Sequence, residues 1–466
     1  MNRRNTKLLY TMLMCLVAAG LGVLIALTGD IAVAATLSAL VILVAIILYD
    51  PGLGVLVYAA SRPLADLFVF VQVGGFSIGQ LWGAGLIAVC GLYMVLSLRR
   101  NEDRYMYSLV PLALPAAYLA FTLTRPGADA GLTNALRLLS WTLLIVVVER
   151  IATELRNRRR IEMAVVVSIV LMLITVAIAA AQNRYGAAYY SGEFEAVGQG
   201  PHGLSSYLVL GAALLLFLML QHEGGRLPFV LFGLSIVAVL FSLVRTTFLA
   251  LVILVGVYAI LALAGRGARV ATTAIALLAV GSSIIYLGQD QIIDRFRDIG
   301  YLSAGGGSEI YAGSGRIGIW LAVWNGALSD IQNLVVGAGA LASSKLVYAA
   351  LGVERWAHND FLELLITGGV PLLLTYVVLI GWLATRGTRL FRAAPDVETR
   401  NFAGMYLAGL GAFVFMAFFN GIALYQASVM MGLLGGLAAG WLRSAESPSS
   451  EPITAPSIDH PVVASP

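Results

Sequence analysis

The sequence predicts an all-α fold, a polytopic bundle of transmembrane helices, and three observations support that prediction. Hydrophobic residues make up 59% of the chain and charged residues 12%, whereas soluble domains contain roughly 45–50% apolar and about 25% charged residues. Apolar runs as long as the ~20 residues that cross a bilayer as a helix follow one another along the chain. These runs are continuous and lack the alternation of barrel strands, which excludes a transmembrane β-barrel.

The apolar runs between polar breaks define the individual helices, and about 12–14 of them are predicted to span a membrane. Arg62, Pro63 and Asp66 interrupt the third run, so the third and fourth spans are the weakest. The predicted spans are 8–28, 31–49, 52–70, 80–98, 107–124, 134–149, 161–181, 204–220, 227–244, 247–264, 270–288, 360–384, 402–419 and 423–442.

The two ends of the chain carry different signals. Arg3, Arg4 and Lys7 precede the first apolar run, as in a signal peptide, but no small-residue cleavage site follows, so an uncleaved first span is predicted. The transmembrane domain then covers residues 1–443. Residues 444–466 are rich in Ser and Pro and are predicted to be a disordered cytoplasmic tail.

The basic residues predict the orientation of the helices. Clusters at 99–100, 156–160, 266–269 and 386–400 fall on one side of the predicted bundle, and such clusters mark the cytoplasmic side. Both termini are therefore expected inside, and the spacing of these charges between spans does not indicate nucleic-acid binding. Two long loops, 182–203 and 289–357, then face the periplasm, and long loops on a compact scaffold usually carry function.

A group of polar residues lies where the larger loop meets the span 360–384, in the stretch AHNDFLELLITGG. His358 is a candidate general base, because an imidazole titrates near neutral pH. The alternative is a histidine at the membrane interface beside residues that cap the helix, and Asn359 and Asp360 are suited to capping. Glu363 lies further into the helix and could orient the large loop by hydrogen bonding.

Three arginines on the predicted outer side are candidate anion ligands. Arg245 stands between two apolar runs with almost no loop, where a guanidinium needs an anion or extends its charge to the interface. Arg184 lies in the smaller loop and could instead be an ordinary loop charge. Arg316 opens an amphipathic segment, 315–330, whose Trp320 and Trp324 share a face and could anchor it at the membrane interface.

The order of these features resembles the O-antigen ligase and polymerase family, bacterial inner-membrane glycosyltransferases of the C type. The resemblance is carried by Arg184, the Arg245 helical hairpin, GRIGIW, VVGAGA and HNDFLELLITGGVPLLL, in this order. It covers about the second half of the chain, from Arg184 to about Gly381. PHG at 201–203 departs from the Pro-Asn that the family more often shows, so the role of His202 stays open.

The resemblance implies transfer of a glycan from an undecaprenyl diphosphate carrier to an acceptor sugar on the periplasmic face. The acceptor is lipid A–core in ligases and another lipid-linked repeat unit in polymerases, and the sequence does not choose between them. His358 would be the catalytic base, Arg184, Arg245 and Arg316 would bind the diphosphate, and Asn359, Asp360 and Glu363 would support them. The reaction would invert the anomeric centre.

No metal or other cofactor is expected, because the four histidines and the outer carboxylates do not group at metal-ligand spacing. A competing class is a transporter or flippase of lipid-linked oligosaccharides, which should carry charges near mid-bilayer and broken helices in paired positions. A non-catalytic membrane scaffold is a third possibility. Convergence of Arg184, Arg245 and His358 around one outward-facing cleft would distinguish the enzyme from both.

Overall fold

The computed structural model describes residues 45–66, 72–73, 76–99, 108–125, 127–181, 201–220, 226–242, 244–264, 316–352, 354–424 and 427–446. The predicted spans 8–28 and 270–288, the candidate ligand Arg184 and the stretch 447–466 lie outside the described residues.

Helices make up almost all of the described chain, which confirms the predicted all-α class. Residues 45–49 are also helical. The helices are α1 Pro51–Ala60, α2 Arg62–Asp66, α3 Ile78–Arg99, α4 Ala113–Thr122, α5 Ala128–Ile151, α6 Leu155–Ala181, α7 Pro201–Leu220, α8 Arg226–Phe241, α9 Arg245–Ala264, α10 Arg316–Leu328, α11 Ile331–Val336, α12 Ala342–Leu351, α13 Asp360–Ala393, α14 Val397–Phe419 and α15 Ala427–Glu446. A 3₁₀ turn, Val110–Leu112, precedes α4, and two short antiparallel strands, β1 Gln72–Val73 and β2 Phe76–Ser77, pair ahead of α3.

Seven of the described helices are long and apolar enough to cross a membrane, so the protein is a multi-pass membrane protein. They are α3, α5, α6, α7, α9, α13 and α14. The predicted span 52–70 is not one continuous helix, because its described part, 52–66, forms the short helices α1 and α2 separated at Ser61. The prediction also placed the end of the last helix too early, because α15 continues through Ser444 to Glu446.

Glycines allow α5 and α15 to pack with their backbones close together. A Cβ at Gly432, Gly436 or Gly440 would press on the backbone carbonyl oxygen of Trp141, Ile145 or Glu149, respectively. The four-residue spacing places these glycines on one face of α15, which is the small-residue packing typical of membrane helices. We call this contact of Gly432, Gly436 and Gly440 with α5 the glycine seam. Beyond the glycine seam, Arg443 donates to the Glu149 carboxylate at 2.7 Å.

We expect Gly440→Val to destabilise the protein by about 1–3 kcal/mol, because the added side chain must push α15 away from α5. Thermal unfolding of the purified protein in detergent would measure the loss. Gly381→Val is the matched control, since a Cβ at that helical glycine meets no atom within 4 Å. Equal losses of stability in the two variants would contradict a role for the glycine seam in packing α15 against α5.

The helix α13 is broken at Gly368 and Gly369, which the predicted continuous span did not anticipate. Gly369 has φ 70°, and Pro371 lacks the N–H that would bond the Thr367 carbonyl in a regular helix. The segment that follows α11 replaces the lost donors. The N–H of Ala338 donates to the Ile366 carbonyl at 2.7 Å, and the N–H of Gly339 donates to the Thr367 carbonyl at 3.1 Å.

These two bonds attach the helices α10 to α12 to the transmembrane bundle. The motif VVGAGA, residues 335–340, therefore supplies the backbone donors for the break in α13. Ile319, Val323 and Val347 form a small apolar core under this region, together with Ile366 of α13. The first part of α13 is thus held by backbone hydrogen bonds from Ala338 and Gly339 and by apolar packing against α10 and α12.

Candidate functional site

The candidate site lies where the start of α13, the start of α10 and the connection between α14 and α15 meet. This connection, residues 420–424, is called the α14–α15 loop below. It lies at the end of the bundle opposite Glu149 and Arg443, because α5 and α15 run side by side from Trp141 and Gly432 to Glu149 and Gly440.

His358 precedes α13 and has an uncommon backbone conformation. Its φ of 50° is the single positive value among the non-glycine residues that the structure describes. Such strain persists only where the surroundings hold it, and it is often found at functional sites. Asn359 is the N-cap, as predicted, and its Oδ1 accepts a hydrogen bond from the N–H of Leu362 at 3.1 Å.

Asp360 does not cap its own helix, which corrects the role expected from the sequence. Its buried Oδ2 accepts hydrogen bonds from the N–H groups of Ile422 at 3.0 Å and Ala423 at 2.9 Å. The hydroxyl of Tyr376, 16 residues further along α13, donates to the same oxygen at 3.2 Å. Asp360 therefore fastens the α14–α15 loop to α13, and the indole of Trp141 adds a bond to the Ala423 carbonyl.

Glu363 binds the segments that lead into His358. Its Oε1 accepts from the hydroxyl of Ser343 at 2.9 Å, and its Oε2 accepts from the N–H of Ala357 at 3.3 Å. Both partners belong to the described part of the predicted larger loop, so Glu363 holds Ser343 and Ala357 in place by hydrogen bonding. The carboxylate is buried and hydrogen-bonds the residue that precedes His358.

The helix α10 is held at this site by Arg316 and Trp320. Arg316 Nη2 donates to Asn420 Oδ1 at 2.9 Å. The indole of Trp320 donates to the Ala357 carbonyl at 2.9 Å and packs against the rings of Phe418 and Phe419. Trp320 therefore packs between α14 and the segment that leads into His358, whereas Trp324 is exposed.

Arg245 begins α9 three residues after Ser242 and is half-buried. The tight hairpin predicted from the sequence is present, since α8 ends at Phe241. Burial and the positive charge of Arg245 lower the pKa of Arg316 to about 10. Arg245 and Arg316 thus lie near enough to repel each other, and such a pair of cations is stabilised by an anion between them.

The electrostatic surroundings keep His358 neutral. Burial, with a smaller effect from the charges of Arg316 and Arg355, lowers the pKa of His358 to about 4, although a hydrogen bond to the Asn420 backbone acts to raise it. At neutral pH the ring can therefore accept a proton. Three cations and one neutral imidazole share this region, whereas the position of Arg184 lies outside the described residues.

Asn420 and Gly421 belong to this site and escaped the sequence analysis, which treated 420–422 as a plain connection between two spans. Asn-Gly is a turn signal, but nothing local indicates contact with a residue at a sequence distance of 104. The packing is close: a Cβ at Gly421 would meet the Asn359 nitrogen at 3.2 Å and the His358 carbonyl carbon at 3.5 Å.

Two further observations define what lies outside this site. Among the residues that the structure describes, no group of three or more His, Cys, Asp and Glu side chains could hold a metal ion. A cavity of about 500 Å³, lined by Asp50, Ile151, Arg156 and Arg160 among others, lies at the opposite end of α5. It shares no residue with the His358 region.

Comparison of the chain with protein-family models and with curated proteins finds no match.

Proposed function

We propose that this protein is a membrane glycosyltransferase that moves a glycan from an undecaprenyl diphosphate carrier to the hydroxyl of an acceptor sugar. The observation that supports the proposal is the arrangement of Arg245, Arg316 and a neutral His358 at one end of the bundle. The acceptor would be lipid A–core or a second lipid-linked glycan. The positive-inside distribution of basic residues supports a periplasmic location of this site in a bacterial inner membrane.

The residues suit a displacement at the anomeric carbon. The acceptor oxygen would form a bond to that carbon while the bond from the carbon to the diphosphate oxygen breaks. The two guanidinium groups would bind the diphosphate before and after its release, since arginine forks match phosphate oxygens. The proton of the attacking hydroxyl would pass to the His358 ring, and attack opposite the leaving group would invert the anomeric centre.

The test is reconstitution of the purified protein in lipid nanodiscs with a lipid-linked glycan donor and either acceptor. We expect a new glycosidic product and release of the polyprenyl diphosphate, without added metal. A companion experiment removes the gene and analyses the lipid-linked glycans of the cell. Unpolymerised repeat units would indicate a polymerase, and unligated long chains would indicate a ligase.

The break in α13 favours the alternative, a transporter of lipid-linked oligosaccharides. The N–H groups of Ala338 and Gly339 donate to the Ile366 and Thr367 carbonyls at this break, so these two carbonyls are satisfied without a transported substrate. Movement of a fluorescent lipid-linked glycan across proteoliposomes, with no glycosidic product, would favour the transporter and contradict the enzyme.

The pH dependence of the reaction should report the environment of His358. Because its pKa lies near 4, below the usual 6.5, the ring stays neutral down to mildly acidic pH. We expect the acid limb of kcat/KM, which reports the free protein, to lie near pH 4. The limb of kcat should lie at higher pH, because a bound diphosphate favours the charged imidazolium.

Arg355→Gln offers a sharper check of this profile. It removes an exposed cation that lowers the pKa of His358, so the acid limb of kcat/KM should move to higher pH. Lys345→Gln is the matched control, an exposed cation in the same region whose charge does not act on His358. An acid limb at the same pH in the wild type and Arg355→Gln would contradict the assignment of the limb to His358.

A further inference from the structure

The side-chain amide of Asn420 has a hydrogen-bonded oxygen and a nitrogen without a hydrogen-bond partner. Its Oδ1 accepts from Arg316 Nη2 at 2.9 Å. A guanidinium only donates hydrogen bonds, so the amide oxygen must face Arg316 and the orientation of the group is determined. The amide nitrogen, Nδ2, is buried and has no hydrogen-bond partner among the residues that the structure describes.

This nitrogen is a donor that the fold does not use. Asn420 is 6% exposed, and a buried donor without a partner costs about 1–3 kcal/mol. Most buried polar groups are paired for that reason, and those that are not require an explanation. A ligand that accepts a hydrogen bond would supply one.

The position of Asn420 identifies the kind of ligand. Its side chain holds Arg316, and its backbone hydrogen-bonds the ring of His358. The bond from Arg316 polarises the amide and strengthens Nδ2 as a donor. A donor that lies beside guanidinium groups is suited to an oxygen with negative charge.

We propose that Asn420 is a substrate-binding residue whose Nδ2 donates a hydrogen bond to a phosphate oxygen of a prenyl diphosphate held by Arg316. This proposal rests on the proposed function, because that function supplies the diphosphate. Asn420 then connects the groups that bind the leaving group to the base that acts on the acceptor. The α14–α15 loop, fastened to α13 by Asp360, is the support that keeps it there.

Asn420→Asp tests the proposal with little change of shape. The carboxylate keeps an oxygen for Arg316 but puts a second oxygen in the place of Nδ2, where it would repel phosphate. The probe is farnesyl diphosphate, titrated against the full-length protein in detergent. We expect binding to weaken by at least about tenfold, the size of a charged hydrogen bond, while neutral farnesol binds both proteins alike.

Asn325→Asp is the matched control, an exposed asparagine on the helix that begins with Arg316, and its binding should equal that of the wild type. Unchanged binding in Asn420→Asp would overturn this inference and leave the proposed function standing. Equal loss of farnesol and farnesyl diphosphate would also overturn it, because it would show a general disturbance.

If the wild type does not bind farnesyl diphosphate at all, the proposed function and this inference fail together. Thermal unfolding confirms that each variant is folded. Should Asn420→Asp not fold, Asn420→Ser gives the answer, since its shorter side chain withdraws the donor without adding charge. Farnesyl diphosphate should bind this variant more weakly and farnesol equally, and wild-type affinity for both would again overturn the inference.

Discussion

Replacement of His358 by asparagine should lower the rate of glycan transfer by ~10²–10⁴-fold, the usual contribution of a general base. Asparagine removes the base and tolerates positive φ better than most residues, so the strained backbone at φ 50° is preserved. Donor binding should be retained, because both arginines are unchanged. Turnover with saturating donor and the affinity for the donor, measured on the same preparation, are the two quantities to compare.

His358→Ala and His358→Gly separate the chemistry from the backbone. Glycine adopts positive φ without strain and alanine does not. If the ring is the base, all three variants should be slow, and the alanine variant should also unfold at a lower temperature. If the asparagine or glycine variant turns over as fast as the wild type, His358 serves the conformation before the helix, and the base lies elsewhere.

Arg316→Ala should have the second large effect, on the donor. Loss of a charged hydrogen bond to the diphosphate should weaken donor binding by about 10- to 100-fold. The change also leaves Asn420 Oδ1 without its donor, which loosens the α14–α15 loop. Arg316→Lys should restore only part of the affinity, because an ammonium group cannot form the bidentate fork. Titration of the lipid-linked donor against the wild type and each variant would measure these affinities.

Arg245→Ala should behave in the same way as Arg316→Ala, since the two cations act on one region. Arg226→Ala is the matched control. Arg226 is an exposed arginine at the start of α8, whereas Arg245 follows the end of α8. The donor affinity of Arg226→Ala should equal that of the wild type. Comparable losses in Arg226→Ala would point to general electrostatic attraction and not to a binding site.

The sequence by itself determined the class of fold and part of the local structure. Apolar runs long enough to cross a bilayer specify helices, because lipid leaves backbone groups no other partners. The N-cap at Asn359 could be read locally, since a cap is made by side chain and backbone within one turn. The same holds for the tight hairpin before Arg245, because the polar break between two apolar runs is short.

Only the tertiary structure decided how the polar groups meet. Asp360 was expected to cap α13, yet it binds backbone groups 62 and 63 residues away. Asn420 looked like a connection, and Gly432 to Gly440 looked like ordinary apolar helix. Hydropathy and helix propensity are properties of neighbouring residues, whereas these roles depend on which helices pack together. A buried carboxylate takes whichever N–H groups the packing brings to it, and no local pattern records that choice.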